Sequence, residues 1–114
     1  MKRILFVDDE QEVLEGLQRT LRPMKMKWKM EFASSGQEAL QILTLRPFDA
    51  VVSDMMMPGM TGVELLDKVK ERFPQTTRIV LSGDSGRESI VRWIDTGHIF
   101  LSKPCYMEKL VCNV

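Results

Sequence analysis

The chain has 114 residues, which is enough for one compact domain and too few for two. Hydrophobic residues make up 44% and charged residues 28% of the chain, the balance of an ordinary globular protein. Sixteen basic and sixteen acidic side chains cancel, which argues against broad electrostatic binding to nucleic acid. No apolar run approaches the length that crosses a bilayer, so we expect no membrane association.

The amino-terminal residues do not resemble a signal peptide. Two basic residues precede the apolar run at residues 4–7, but this run is too short for export and Asp8 ends it. Cys105 and Cys112 have no histidine or cysteine cluster beside them at a zinc-like spacing. We therefore expect a cytoplasmic protein in which both thiols are reduced.

Strands and helices are predicted to alternate along the chain. Short apolar or alternating runs predict five strands, at residues 3–7, 28–33, 49–53, 77–82 and 99–102. Apolar stripes at helical spacing predict a helix after each strand: residues 10–22, the segments from Ser35 to Pro47, Val63 to Phe73 and Ser85 to Gly97, and residues 106–113. Ser35 with Glu38, and Ser85 with Glu88, match the capping-box pattern at a helix start.

This alternation determines the expected fold class. Five strand–helix units predict an α/β protein whose parallel strands are joined by right-handed crossovers, with helices on both faces of the sheet. The strands are short apolar runs, as expected when both faces are covered. Because no repeat or linker interrupts the pattern, residues 1–114 are expected to form one domain.

Polar side chains stand at the ends of four predicted strands. The first strand is followed by Asp8 and Asp9, and the third by Asp54. The fourth ends in Ser82, and Lys103 follows the fifth. Ligands of parallel α/β sheets bind at the carboxyl ends of the strands, so we expect these side chains to share one site.

The residue types at these strand ends suit phosphoryl chemistry. Three carboxylates in one cleft repel each other unless a cation joins them, and hard oxygen ligands suit Mg²⁺. Lys103 and the Ser82 hydroxyl are able to hold phosphoryl oxygens. Asp54 precedes a Pro/Gly loop, so its carboxylate is expected to face solvent and to attack phosphorus, giving an aspartyl phosphate.

Each of these residues also has a plainer interpretation. Asp9 and Glu12 match a capping box, so Asp9 is a candidate cap of the first helix. Asp54 is a common turn residue, Ser82 is compatible with a structural role, and a lone Lys103 is ordinarily a solvated charge. The functional interpretation gains weight because the fold brings all four strand ends to one edge.

Four segments, in order, resemble the motifs of response-regulator receiver domains, the phosphoacceptor modules of two-component signalling. They are the acidic pair after residues 4–7, the run from Val52 to Gly62, the Leu81-Ser82-Gly83 step and Leu101-Ser102-Lys103-Pro104. The match spans nearly the whole chain. The resemblance implies a flavodoxin-like, doubly wound (βα)5 fold with a five-stranded parallel sheet in the order 2-1-3-4-5.

The resemblance also implies roles for the acidic residues. Asp54 would be the phosphoacceptor. Asp9 and Asp54 would bind Mg²⁺ directly, Asp8 would bind it mainly through water, and the backbone carbonyl of Met56 would supply a further ligand.

Further roles concern the fourth and fifth strands. Ser82 would be the switch hydroxyl, Lys103 the phosphate-contacting lysine and Phe100 the switch aromatic. The Lys103–Pro104 peptide bond is expected to be cis, because the strand must end sharply and aim Lys103 into the cleft.

The family's phosphoryl donor is a phosphohistidine on a sensor histidine kinase or a phosphotransfer protein, and its output is a changed surface on the fourth helix, fifth strand and fifth helix. Such a domain is a signalling phosphoacceptor and not an enzyme with a separate substrate. The chain ends at Val114, so the last helix has about two turns. We therefore expect a domain cut from a longer protein with an output domain. A homodimer is left open.

Three other classes are weighed against this interpretation. A flavodoxin-like nucleotide binder needs a phosphate cradle after the first strand, where Asp8-Asp9-Glu10 would repel phosphate. A haloacid-dehalogenase-like phosphatase would have an Asp-x-Asp motif after the first strand, whereas in this chain Glu10 stands two places after Asp8. A degenerate receiver that is used only for docking would not need the complete set of acidic and basic residues that stands at the strand ends.

One segment is left without a role. Residues 22–28 are longer and more basic than the usual connection between the first helix and the second strand. They are either a solvated loop or a patch that binds a partner.

Overall fold

The computed structural model describes residues 2–24, 26–55, 57–82 and 99–102, and for residues 82 and 99–102 it describes the backbone. Its strands are β1 (Lys2–Val7), β2 (Trp28–Ala33), β3 (Ala50–Asp54), β4 (Thr77–Ser82) and β5 (Ile99–Ser102). The α-helices in the described ranges are α1 (Gln11–Thr20), α2 (Gly36–Leu45) and α3 (Gly62–Arg72), and a 3₁₀ helix spans Arg22–Met24. The predicted helices from Ser85 to Gly97 and at residues 106–113 lie outside the described residues.

The five strands form one sheet in the order β2-β1-β3-β4-β5, and every neighbouring pair is parallel. This confirms the predicted α/β class and strand order. β1 lies between β2 and β3 and is therefore covered on both sides by hydrogen-bonded neighbours. The strand β2 is at one edge of the sheet.

Alternate residues of β1 enter two separate apolar clusters, one on each face of the sheet. Leu5 and Val7 pack in the cluster that includes α2 and α3 residues, whereas Ile4 and Phe6 pack in the cluster that includes Leu14 of α1. All four β1 residues are at most 2% exposed. This explains why the strand is continuously apolar, since side chains alternate between two buried faces.

The helix starts differ in part from the predicted capping. Asp9 does not cap α1: the cap position is Glu10, whose side chain makes no capping hydrogen bond. The carboxylate of Asp8 accepts the Glu10 amide hydrogen bond at 3.0 Å instead. At α2, Ser35 accepts from the Glu38 amide as predicted, but the Glu38 carboxylate accepts from the Ser34 hydroxyl. The predicted box is therefore only half formed.

A complete capping box begins α3, which the sequence reasoning did not identify. The Thr61 hydroxyl accepts from the Glu64 amide at 3.2 Å, and the Glu64 carboxylate accepts from the Thr61 amide at 3.3 Å. The same helix buries Leu65 as well as the predicted Leu66 and Val69. Its start is therefore well defined directly after the loop that follows Asp54.

Candidate functional site

The structure brings the carboxyl ends of the strands to one edge of the sheet. Val7, the last residue of β1, pairs with Ser53 of β3. Ser82, the last residue of β4, pairs with Ser102, the last residue of β5. The described residues at these strand ends therefore share a single edge of the sheet, as the sequence predicted.

The acidic residues of this edge form a cluster. One carboxylate oxygen from each of Asp8, Asp9 and Asp54 can be chosen so that all three lie within 4.8 Å of one another. Hard oxygen donors at this spacing are the ligand type that Mg²⁺ takes in proteins. The cluster is therefore chemically suited to one divalent cation, because a cation would offset the repulsion among three negative charges.

Two of the three carboxylates are shielded from solvent. Asp8 is 3% exposed and Asp54 is 9% exposed, while Asp9 is exposed. The expectation that Asp54 faces solvent freely is wrong, because the following loop and the start of α3 pack against the end of β3. Two backbone hydrogen bonds hold this arrangement: the Met55 amide donates to Leu81 at 3.0 Å, and the Gly62 amide donates to Met55 at 2.9 Å.

Gly62 allows this close packing, and the sequence reasoning did not single it out. A Cβ atom at residue 62 would overlap the carbonyl oxygen of Asp54 and would lie 3.1 Å from the Met55 Cα. The obstructing atoms belong to the backbone, so they cannot move aside as a flexible side chain would. Glycine at this position therefore lets the first turn of α3 pack directly against the backbone of Asp54.

Other backbone contacts fix the neighbouring groups. The buried Ser53 hydroxyl donates to the Asp54 carbonyl at 2.9 Å. The Asp8 amide donates to the Ala33 carbonyl of β2 at 3.1 Å, which continues the sheet pattern past the end of β1. These contacts orient the residues that carry the acidic cluster before any ligand is present.

The remaining predicted site residues are described in part. Ser82 ends β4 and Phe100 lies in β5, as predicted from the sequence, and Phe100 pairs with Val80. Met56, Lys103 and Pro104 lie outside the described residues, and so does the predicted cis peptide bond between the last two. Their assigned roles remain predictions.

A second charged group lies away from this site. Arg46, at the end of α2, donates hydrogen bonds through two guanidinium nitrogens to the carboxylate of Glu31, one of them at 2.7 Å. Arg3 approaches the same carboxylate at 3.9 Å. The hydrogen bond from Arg46 is the main cause that lowers the pKa of Glu31, opposed by its partial burial. The charges of this group offset one another within the chain, so we interpret it as a structural ion pair.

Comparison with known proteins identifies the family. The response regulator receiver domain family matches residues 4–114, and the chain belongs to this family. It is a receiver domain of the two-component response-regulator type. This membership argues against the nucleotide-binding and haloacid-dehalogenase alternatives, since neither describes the family that spans the chain.

Individual relatives and solved structures support the same family assignment. The hydrogenase transcriptional regulatory protein HoxA of Cupriavidus necator is 35% identical over 113 residues, which cover 97% of this chain. A receiver domain from Clostridium thermocellum has a TM-score of 0.89 at 28% identity, covering 99% of this chain and 90% of that one. The signal receiver domain of an HD domain-containing protein from Pseudomonas fluorescens has a TM-score of 0.87 at 36% identity, covering 98% and 90%.

The chain spans 23% of the length of HoxA. Among the described residues, no helix combines the length and the apolar character that a bilayer crossing requires.

Proposed function

We propose that this receiver domain accepts a phosphoryl group on Asp54 from a phosphohistidine of a sensor histidine kinase or a phosphotransfer protein in the cytoplasm. The observation that carries the proposal is the cluster of Asp8, Asp9 and Asp54 oxygens within 4.8 Å at the carboxyl edge of the sheet. Family membership over residues 4–114 supports the same chemistry.

The donor set is suited to Mg²⁺. Asp9 and Asp54 would hold the ion directly, Asp8 mainly through water, and the backbone carbonyl of Met56 would supply a further oxygen. When bound, the ion offsets the charge of these carboxylates and of the incoming phosphoryl oxygens. The exposure of Asp9 leaves this side of the cluster open to solvent and to a phosphodonor.

The chain's own residues supply the nucleophile and its alignment. A carboxylate oxygen of Asp54 forms the new bond to phosphorus while the bond from phosphorus to the donor's histidine nitrogen breaks. The electron pair of the broken bond stays on the imidazole, which takes a proton from solvent. Phosphoryl transfer needs alignment and charge neutralisation more than covalent help, and the close packing of the Asp54 peptide on Gly62 contributes to this alignment.

The fourth and fifth strands would transmit the change. We assign Lys103 to hold one phosphoryl oxygen, and Ser82 to move toward another and donate a hydrogen bond. Phe100 would then rotate into the space that Ser82 leaves, changing the surface formed by the fourth helix, the fifth strand and the fifth helix. Support comes from the position of Ser82 at the end of β4 and of Phe100 in the adjacent strand.

Phosphorylation is tested by incubating the chain with acetyl phosphate and Mg²⁺ and measuring its intact mass. We expect one added phosphoryl group on the parent protein, none on Asp54→Asn, and none on the parent protein with excess EDTA. Asp67→Asn removes an exposed acid of α3 and is the matched control, which should be labelled like the parent. Equal labelling of Asp54→Asn would refute the assignment. Absence of labelling on the parent would favour a receiver used only for docking.

The switch is tested by NMR with beryllofluoride, which mimics the phosphoryl group. Ser82→Ala should still be labelled by acetyl phosphate but should lose most of the beryllofluoride-induced shifts of residues 87–95. An unchanged pattern of shifts in Ser82→Ala would rule out coupling through this hydroxyl.

A further inference from the structure

The basic segment that the proposed function leaves without a role borders a groove. The groove has a volume of about 420 Å³ and is lined by Gln18, Arg22, Lys29, Met30 and Phe32. Its volume falls in the range of about 300–1,000 Å³ that ligand pockets have. It lies where the end of α1 meets β2, with β1 between β2 and the strand that carries Asp54. None of its lining residues belongs to the acidic cluster.

The floor of the groove is apolar and fixed. Met30 and Phe32 are half-buried. The Phe32 ring stacks on the buried Phe6 ring, with 5.3 Å between centroids and an angle of 17° between the planes. Stacking on a core residue holds the Phe32 ring in place, so an incoming apolar side chain meets a surface that is already ordered.

The rim of the groove is positively charged. Arg22 and Lys29 are both exposed, and the lining residues in the described part of the chain include no acid. Glu31, the acid next to this surface along β2, is held by Arg46 through two hydrogen bonds. Neither Arg22 nor Lys29 forms a salt bridge within the described residues. Arg22 is therefore available to a negative charge from another molecule, while Lys29 lies on the face of β2 that carries Glu31 and contributes to lowering the Glu31 pKa.

The position of β2 indicates the shape of the partner. β2 is an edge strand, and an edge strand presents backbone N–H and C=O groups that can pair with an added strand. Lys29 and Met30 are successive residues, so an extended partner that alternates acidic and apolar side chains would match them. Met26, which is 84% exposed, offers further apolar surface in the preceding turn.

We propose that this groove is a docking surface for an extended acidic protein segment that carries apolar side chains. Nucleic acid is the weaker match. The floor of the groove is apolar, the described lining residues include no more than two cationic side chains, and the chain has no net charge to attract a phosphate backbone. A protein segment would use the floor, the rim and the edge of β2 together.

The test is an NMR titration of the chain with an eight-residue peptide in which glutamate alternates with leucine. We expect the largest amide shifts at the groove, from Arg22 to Phe32. The double variant Arg22→Glu/Lys29→Glu should weaken binding by about tenfold or more. The double variant Lys68→Glu/Arg72→Glu has the same change of charge on exposed positions of α3, and it should bind within about twofold of the parent.

Two further probes separate the chemical classes. A peptide with serine in place of leucine should bind more weakly, because it cannot use the apolar floor. An eight-nucleotide single-stranded DNA and vesicles with anionic headgroups should not shift the groove amides at the peptide's concentrations. The proposal is overturned if either probe binds the groove more tightly than the peptide. Equal binding of the two charge-reversed variants, or no peptide binding at millimolar concentration, would also overturn it.

Discussion

At the carboxyl end of the sheet, three carboxylates lie within 4.8 Å of one another, whereas elsewhere on the sheet one carboxylate, Glu31, lies between two arginines. Both groups contain three charged side chains, so the number of charges alone does not distinguish them. The signs do: opposite charges attract each other, while like charges repel unless a positive group or a cation offsets them. The arrangement of charge therefore separates a ligand site from a structural ion pair.

The largest effect is expected from disturbing the backbone that supports the carboxyl end. Gly62→Ala would push a Cβ atom into the Asp54 carbonyl, and we expect the free energy of unfolding to fall by about 3 kcal/mol. Urea denaturation measures it. Gly16→Ala is the control: its Cβ would meet only the end of the Arg19 side chain at 3.9 Å, so this change should stabilise α1 by about 0.5–1 kcal/mol. Similar effects of the two changes would refute the close approach at Gly62.

A smaller effect is expected from the metal. Mg²⁺ at one hundred times its dissociation constant should raise the free energy of unfolding of the parent by about 2.7 kcal/mol. Asp9→Asn should lose most of this gain, because it removes a direct ligand. Thermal melts with and without Mg²⁺ measure the difference, with Asp67→Asn as a control on exposed acid removal. A parent-like response of Asp9→Asn would remove Asp9 from the metal site.

Without metal, the same variant should change stability in the opposite direction. Asp9→Asn removes one of three neighbouring negative charges, so we expect the metal-free domain to gain about 1 kcal/mol. The measurement is urea denaturation in EDTA at low ionic strength, and added salt should reduce the gain. A loss of stability in EDTA would mean that positive groups of the chain already offset the negative charges of the cluster. The contrast with the Glu31 ion pair would then not hold.

The smallest effect is expected at the ion pair. Glu31→Gln should lower the melting temperature by a few degrees near neutral pH, whether Mg²⁺ is present or not. The pKa of Glu31 is lowered in the folded protein, mainly by the hydrogen bond from Arg46, so this stability is present above the unfolded pKa and is lost as pH falls through the folded pKa. Parent and variant should therefore converge as the pH falls below the folded pKa of Glu31. A pH-independent difference would show that packing, and not charge, is lost.

Much of this fold follows from local pattern. The bounds of β2, β4 and β5 were predicted to the residue, since alternating or apolar runs flanked by breakers define short strands well. The meeting of Asp8, Asp9 and Asp54 also followed, because parallel strands end at a common edge. Both inferences use only the order of residues and the geometry common to such sheets.

Other features depend on contacts that no local pattern contains. The burial of Asp54 and the need for glycine at residue 62 arise where a loop folds back on the end of β3. Asp9 and Asp8 compete for the start of α1, and spacing alone favoured Asp9, whereas Asp8 makes the hydrogen bond. The groove beside Arg22 requires α1 and β2 to be placed together.

The position of β1 between β2 and β3 has a consequence for synthesis on the ribosome. β1 is made before its two partner strands, β2 and β3, and the residues of β3 in its register begin at Ala50. Its four residues from Ile4 to Val7 are buried only when both partners are in place. Non-local pairing of this kind is slow, and exposed apolar strands are prone to aggregate. The nascent chain therefore carries an exposed apolar segment until β3 has been synthesised.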